Sequence, residues 1–227
     1  MDDLRLTRRK TLASLFGGAL ALASWKATGS EASGGPAAVA SGAVTCVLMP
    51  ELTEGPYYIA GEKVRRNITE GRPGTPLTLR VKVVDASTCR PIRGAAVDIW
   101  HADAGGVYSG FGAGSGNRTF MRGIQRTDAS GVATFQSVYP GWYPGRTVHI
   151  HVKVHVGGNV VHTGQLFFPD YVTDAAYRRS PYSKRPNRTT RNAEDSIFVN
   201  GGRNSLLTLR KQGRGYVGTI TTGVQTA

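Results

Sequence analysis

The stretch Tyr139-Pro140-Gly141-Trp142-Tyr143-Pro144-Gly145-Arg146-Thr147-Val148-His149-Ile150-His151 sets a tyrosine in a Pro/Gly turn just ahead of two histidines spaced i, i+2. Side chains two apart on a strand point to the same side, so His149 and His151 can aim both imidazoles at one point. A second tyrosine, Tyr108, follows the Gly105-Gly106 turn. Two imidazoles and two phenols together make a four-ligand set for a metal. Taken singly, each has a plainer explanation. A strand histidine is usually hydrogen-bonded structure, and a tyrosine in a turn is usually an aromatic plug whose hydroxyl caps a backbone group.

The residue types narrow the metal. Zinc favours Cys, His and carboxylate ligands, and blue copper needs Cys; neither lies beside these histidines, so a zinc or copper centre is the weaker alternative. A phenol, with an ordinary pKa of about 10, binds as phenolate only next to a strongly polarising cation. Ferric iron suits two phenolates with two imidazoles. The residual positive charge of such a centre suits a bidentate dianionic oxygen ligand, which is what a catechol supplies.

The elements that must hold these residues read as an all-β chain. With 30 glycines, 11 prolines and 40% hydrophobic residues in 227, the composition favours a turn-rich single β-sandwich of mostly antiparallel strands with long loops. Alternation predicts a half-buried strand over Leu77–Val83, another over Ala95–Trp100, and strands from Val132 to Ser137, Val160 to Phe168 and Gly215 to Thr221. The clearest strand runs from Thr147 to Val156, with Val148, Ile150, Val152, Val154 and Val156 on its core face. His149, His151, Lys153 and His155 lie on the opposite face, so core packing does not explain the histidines. Ser109 to Asn117 reads as a flexible Gly/Ser loop. Tyr171 to Arg191, rich in arginine, reads as a solvated loop with a short helix after Thr173. His101, His155 and His162 are expected to be structural.

Residues 1–40 stand apart. Thr7-Arg8-Arg9-Lys10 before a weak apolar run has the form of a twin-arginine export signal, with Ala38-Val39-Ala40 as a small-residue cleavage site. Residues 41–76 would form an N-terminal arm and residues 77–227 the sandwich. The expected location is periplasmic or extracellular, without stable membrane association. There the two cysteines, Cys46 and Cys89, could form one disulfide worth up to roughly 4 kcal/mol in the chain-entropy model, tying arm to sandwich; two free thiols are the alternative. The net charge of +13 is scattered and lacks a nucleic-acid-binding motif, so it points to anionic small molecules or an acidic polymer and not to nucleic acid.

Four motifs in order carry a resemblance: Gly55-Pro56-Tyr57-Tyr58, Asp98 to Tyr108, Tyr139 to His151, and Gly164-Gln165-Leu166-Phe167-Phe168. In these the chain resembles the intradiol ring-cleaving dioxygenases, over roughly Thr53 to Asp170. The resemblance implies an Fe(III) centre held by Tyr108, Tyr143, His149 and His151. It implies that Tyr143 is the axial phenolate, able to leave and to take a substrate proton, with His151 as the other axial ligand. Arg146 would stabilise charge on the substrate, Gln165 would stand near the oxygen-binding region, and Tyr57 would line the pocket. The implied reaction inserts both atoms of O2 into a catechol and opens the ring between the hydroxylated carbons to a cis,cis-muconate-type product, with no reductant. The gap from Tyr143 to Arg146 is shorter than in the protocatechuate enzymes, and the helical dimerisation segment of the catechol-specific branch is not seen, so substrate and any homo-oligomer stay open. The rival reading is a secreted transthyretin-like sandwich that binds without catalysis.

Overall fold

In the computed structural model, which describes residues 48–111 and 114–226, eight strands form two four-stranded sheets. They are β1 (Pro76–Asp85), β2 (Ala96–Trp100), β3 (Arg122–Arg126), β4 (Val132–Val138), β5 (His149–Val156), β6 (Asn159–Phe167), β7 (Thr208–Gln212) and β8 (Gly215–Val224). One sheet has the order β4-β1-β8-β7 and the other β3-β2-β5-β6. Strands β1 and β8 pair in parallel; the other pairs are antiparallel. This is the expected all-β sandwich.

Alternation builds the core. Leu77, Leu79, Val81 and Val83 of β1 and Phe135 of β4 face Val97 and Ile99 of β2 and Ile150, Val152 and Val154 of β5, all fully buried. The other face of β5 is not solvated. His149 and His151 are buried too, because chain outside the strands covers them.

Part of that cover is residues 48–75, which run along both sheets. Leu48 bridges Gly223, Val64 bridges Ile124 and Asn67 bridges Gln136, while Ile68 is fully buried. Cys89 is disulfide-bonded; its expected partner, Cys46, lies outside the described residues, as does the export motif. No helix among the described residues is long and apolar enough to cross a membrane.

Three expectations need correction. Strands β3 and β7 carry polar sequences, Arg-Gly-Ile-Gln-Arg and Thr-Leu-Arg-Lys-Gln, with too little alternation to announce them. Ser109 is not part of a flexible loop: it is fully buried, its hydroxyl donating to the Phe120 carbonyl and its own carbonyl accepting from Arg122. The segment from Tyr171 to Arg191 is not a solvated loop. Helix α1 (Asp170–Tyr177) buries Val172, Thr173 and Ala176, and begins before Thr173. Arg188 lies 5% exposed between Asp170 and Asp174, and the Arg185 guanidinium sits over the Trp142 ring.

Phe135 has no exposed surface and packs between the sheets. Phe135→Ala should cost about 3–5 kcal/mol, read as a lower denaturant midpoint at an unchanged slope in urea unfolding.

Candidate metal centre

His149 and His151 come together as the i, i+2 spacing requires: their Nε2 atoms are 3.1 Å apart. Each ring is held from behind. His149 Nδ1 lies 2.7 Å from the Thr147 carbonyl, which fixes the proton on Nδ1 and leaves the Nε2 lone pair facing inward. The His151 ring is stacked on Trp100, with centroids 4.9 Å apart and planes 7° from parallel. Above it passes Gly55, at φ +72°, where a Cβ would lie 3.1 Å from His151 Cε1. Only glycine lets the arm lie this close.

The two tyrosines arrive on loops that pack backbone to backbone. In the first, the Asp103 carboxylate accepts from the Gly105 and Val107 amides at 2.8 and 3.0 Å and is paired with Arg72. This closes the turn that delivers Tyr108. In the second, Gly141 N–H donates to the Asp103 carbonyl at 2.9 Å. A Cβ on Gly106, which sits at φ +79°, would come within 2.2 Å of the Trp142 carbonyl. Gly106 on one loop and Gly141 on the other, where a Cβ would also strike the Asp103 and Ala104 carbonyls, are therefore what allow the Tyr108 and Tyr143 loops to meet. Tyr143 then bridges Arg146 across the Pro144-Gly145 turn.

Tyr143 Oη lies 3.1 Å from His149 Nε2. The Tyr108 and Tyr143 rings are 5.7 Å apart, and Tyr108 is 6.1 Å from His151. Tyr108 Oη is buried without a hydrogen-bond partner, as is His151 Nδ1. Tyr57 stacks on Tyr108 with centroids 4.3 Å apart, its backbone held by a hydrogen bond from Arg122 to its carbonyl.

Burial, with the charge of Arg146 as a second cause, pushes His149 down to about 3; burial and the neighbouring His149 take His151 well below the usual range. Both rings are thus neutral at ordinary pH, the form that binds metals. Burial likewise raises both phenols, Tyr108 well above its ordinary value. The set fits a metal that can ionise phenols. Among the described residues no three His, Cys, Asp or Glu side chains converge, so the histidines need the phenols to complete a ligand set. His101 is buried away from this cluster, between the Ala102 carbonyl and the Ser137 hydroxyl.

Arg146 stands beside the cluster, its Nη1 3.5 Å from His149 Nε2. Its Nη2 donates to Gln165 Oε1 at 2.5 Å, and Gln165 Nε2 donates to the Thr53 carbonyl at 2.9 Å. Its Nε donates to Asp195 Oδ2 at 2.8 Å. Asp195 was absent from the candidates read in the sequence. The same Oδ2 accepts from the Thr147 amide at 2.8 Å, while Oδ1 caps the short helix α2 (Ser196–Val199) through the Ile197 and Phe198 amides. One carboxylate thus fixes both Arg146 and the start of β5. An aspartate directly before a short apolar run is an N-cap signal, and this was the cue available. Trp100, which the fold stacks on His151, carried no such cue.

A family model described as "Dioxygenase" matches residues 53–175, a span containing every ligand candidate, Arg146 and Gln165 but not Asp195. Among curated proteins, catechol 1,2-dioxygenase 2 of Acinetobacter lwoffii is 37% identical over 98 residues, 41% of this chain. That match spans only 35% of the relative's length. Among solved structures, an intradiol ring-cleavage dioxygenase from Tetranychus urticae is 38% identical with a TM-score of 0.76, covering 79% of this chain and 95% of that one. The dioxygenase domain of a dioxygenase carbohydrate-binding protein fusion from Streptomyces sp. is 34% identical with a TM-score of 0.63, covering 80% and 100%.

Burial would raise Asp195, but the Thr147 amide and the Arg146 guanidinium outweigh it and hold it below the usual range. A carboxylate depressed on folding stabilises the fold above its unfolded value, about 3.9, and that stabilisation is lost as pH falls through the folded value. Asp195→Asn should therefore lower stability near neutral pH by about 2–3 kcal/mol. It should also flatten the fall in stability below about pH 4, both read by denaturant titration across pH.

Proposed function

Because this chain belongs to the intradiol ring-cleavage dioxygenase family, we propose that Tyr108, Tyr143, His149 and His151 hold Fe(III), and that the protein opens catechol rings with O2. The observation that carries this reading is the convergence of two inward-facing imidazole nitrogens, 3.1 Å apart, with a phenol 3.1 Å away and a buried Tyr108 hydroxyl without a hydrogen-bond partner. Bound Fe(III) would supply a Lewis-acidic centre that takes a catechol as its dianion and renders the ring reactive towards O2.

The chain's own residues have distinct tasks. Tyr108, buried and stacked under Tyr57, has no room to move and serves as a fixed ligand. Tyr143 is only partly buried and rides on a Pro-Gly turn, so it is the tyrosine that has room to swing away and, held as phenolate by the metal, would accept a catechol proton at Oη and become the neutral phenol. Arg146 is held on two sides by Asp195 and Gln165, and turns its remaining nitrogen towards the cluster. A fixed guanidinium there stabilises negative charge building up on the opening ring without having to reorganise. Tyr57 and Trp100 keep water off the ligand rings. The product is a cis,cis-muconate-type dicarboxylate.

We further propose export by the twin-arginine route, supported by Thr7-Arg8-Arg9-Lys10 and by the disulfide at Cys89, which suits an oxidising compartment. Replacing Arg8 and Arg9 by lysine should keep the protein in the cytoplasm, checked by cell fractionation.

Protein expressed with ample iron should contain the metal, absorb visible light through phenolate-to-metal charge transfer, shift that band on adding a catechol, and consume O2. Protein that is colourless, lacks iron and takes up no O2 would favour the binding-module reading instead. Tyr108→Phe should lose iron and colour together, by elemental analysis and absorbance. Arg146→Ala should keep the colour but lower kcat by about 10²-fold or more in an oxygen-uptake assay.

A further inference from the structure

The arginines between Tyr171 and Arg191 do not share one role. Arg188 is committed to Asp170 and Asp174, Arg191 to Asp174, and Arg185 to Trp142. Arg179 differs. Among the described residues its guanidinium donates one N–H, from Nη1, to the Arg214 carbonyl at 2.8 Å, and it lines a cavity of about 490 Å³.

Three separate elements wall this cavity: Thr75 and Pro76 at the start of β1, Arg179 and Ser180 just after α1, and Lys211 and Arg214 of the β7–β8 hairpin. Among the described residues its lining thus has three cations and two hydroxyls, and no carboxylate. The acids of α1, Asp170 and Asp174, are already taken up by Arg188 and Arg191. The cavity shares no residue with the metal centre.

Like charges brought together from three parts of the chain repel unless something compensates them. Cations set around a concavity of this size, with hydroxyl donors between them, match a small ligand with several anionic oxygens. We propose that this cavity is a second ligand site, separate from the metal centre, for a small molecule or chain segment bearing two or more oxyanion groups. A carboxylated saccharide and a free phosphate compound offer the same chemistry. A nucleic-acid duplex does not fit, because the cations line a concavity and not an extended stripe.

The test is isothermal titration of the full protein at low ionic strength with digalacturonate and, separately, with inorganic pyrophosphate. At least one probe should bind saturably, and more weakly as salt is added. Lys211→Glu with Arg214→Glu, both exposed positions, should weaken that binding by about tenfold or more, with O2 uptake on catechol unchanged. Arg90→Glu with Arg93→Glu is the control, since it removes the same charge from exposed positions outside the cavity. Saturation by digalacturonate alone assigns a carboxylated ligand, and by pyrophosphate alone a phosphorylated one. No saturable binding of either probe at millimolar concentration would overturn the proposal. So would equal weakening in the control, which would reduce the effect to attraction by the net charge of +13.

Discussion

Strand β5 must be covered on both faces, and most of what surrounds the sandwich follows from that. One face is aliphatic and buries itself against the opposite sheet by ordinary hydrophobic packing. The other carries imidazoles, which the sheet alone would leave in water. Three pieces of chain close over it: the arm through Gly55 and Tyr57, the paired loops bearing Tyr108 and Tyr143, and the segment that ends at Asp195. Each needs its own local device to fit so near a strand. The arm and the first loop use glycines where a Cβ would collide; the last segment uses a buried carboxylate that binds both the Thr147 amide, just ahead of the strand, and the arginine beside it.

Electrostatics inside this cover is dominated by burial and a cation. Among the described residues no carboxylate meets the two imidazoles directly; Arg146 lies beside them and depresses both histidines further, while Asp195 opposes this for His149 only in part. The neutral cluster therefore contains lone pairs, two resistant phenols and a cation at its edge. Phenols that burial holds protonated give up their protons more readily to a strong Lewis acid than to a weak one, so under the proposed ligation this environment would favour a strongly polarising metal. Asp195 offsets the cost of keeping Arg146 there, because an unpaired guanidinium in that position would be expensive to bury.

The sheet architecture was legible in the sequence because it rests on short-range periodicity; of the proposed ligands only the histidine pair has such a signal, and the two tyrosines depend on the family resemblance. Alternation gave β1, β2, β4, β5, β6 and β8 to within a few residues, and the i, i+2 histidines stood out against it. What stayed hidden depends on partners far along the chain. Strand β7 is an exposed edge, and its polar sequence reflects that position more than its pairing. The arginines of the 171–191 segment look solvated until α1 supplies acids for Arg188 and Arg191 and the tyrosine loop supplies Trp142 for Arg185. Asp195 reaches Arg146 across 49 residues of sequence, a distance that no local pattern reports.

The parallel pairing of β1 with β8 has a consequence for how the chain assembles. Every strand of the sheet that carries the histidines lies between residues 96 and 167, with β5 and β6 joined by a tight turn and β2 joined to β5 through residues 101–148, which include β3 and β4. That sheet has all its strands as soon as those residues exist. The opposite sheet cannot be completed until residues 215–224 pair with β1, because β8 is an interior strand and the partner through which β7 joins the sheet. Joining residues so far apart carries the larger loop-closure cost and is the slower event. During synthesis every strand of the histidine-bearing sheet, together with β1 and β4 that pack on its aliphatic face, is therefore made before β8, and the core stays open only where β8 and β7 will close it.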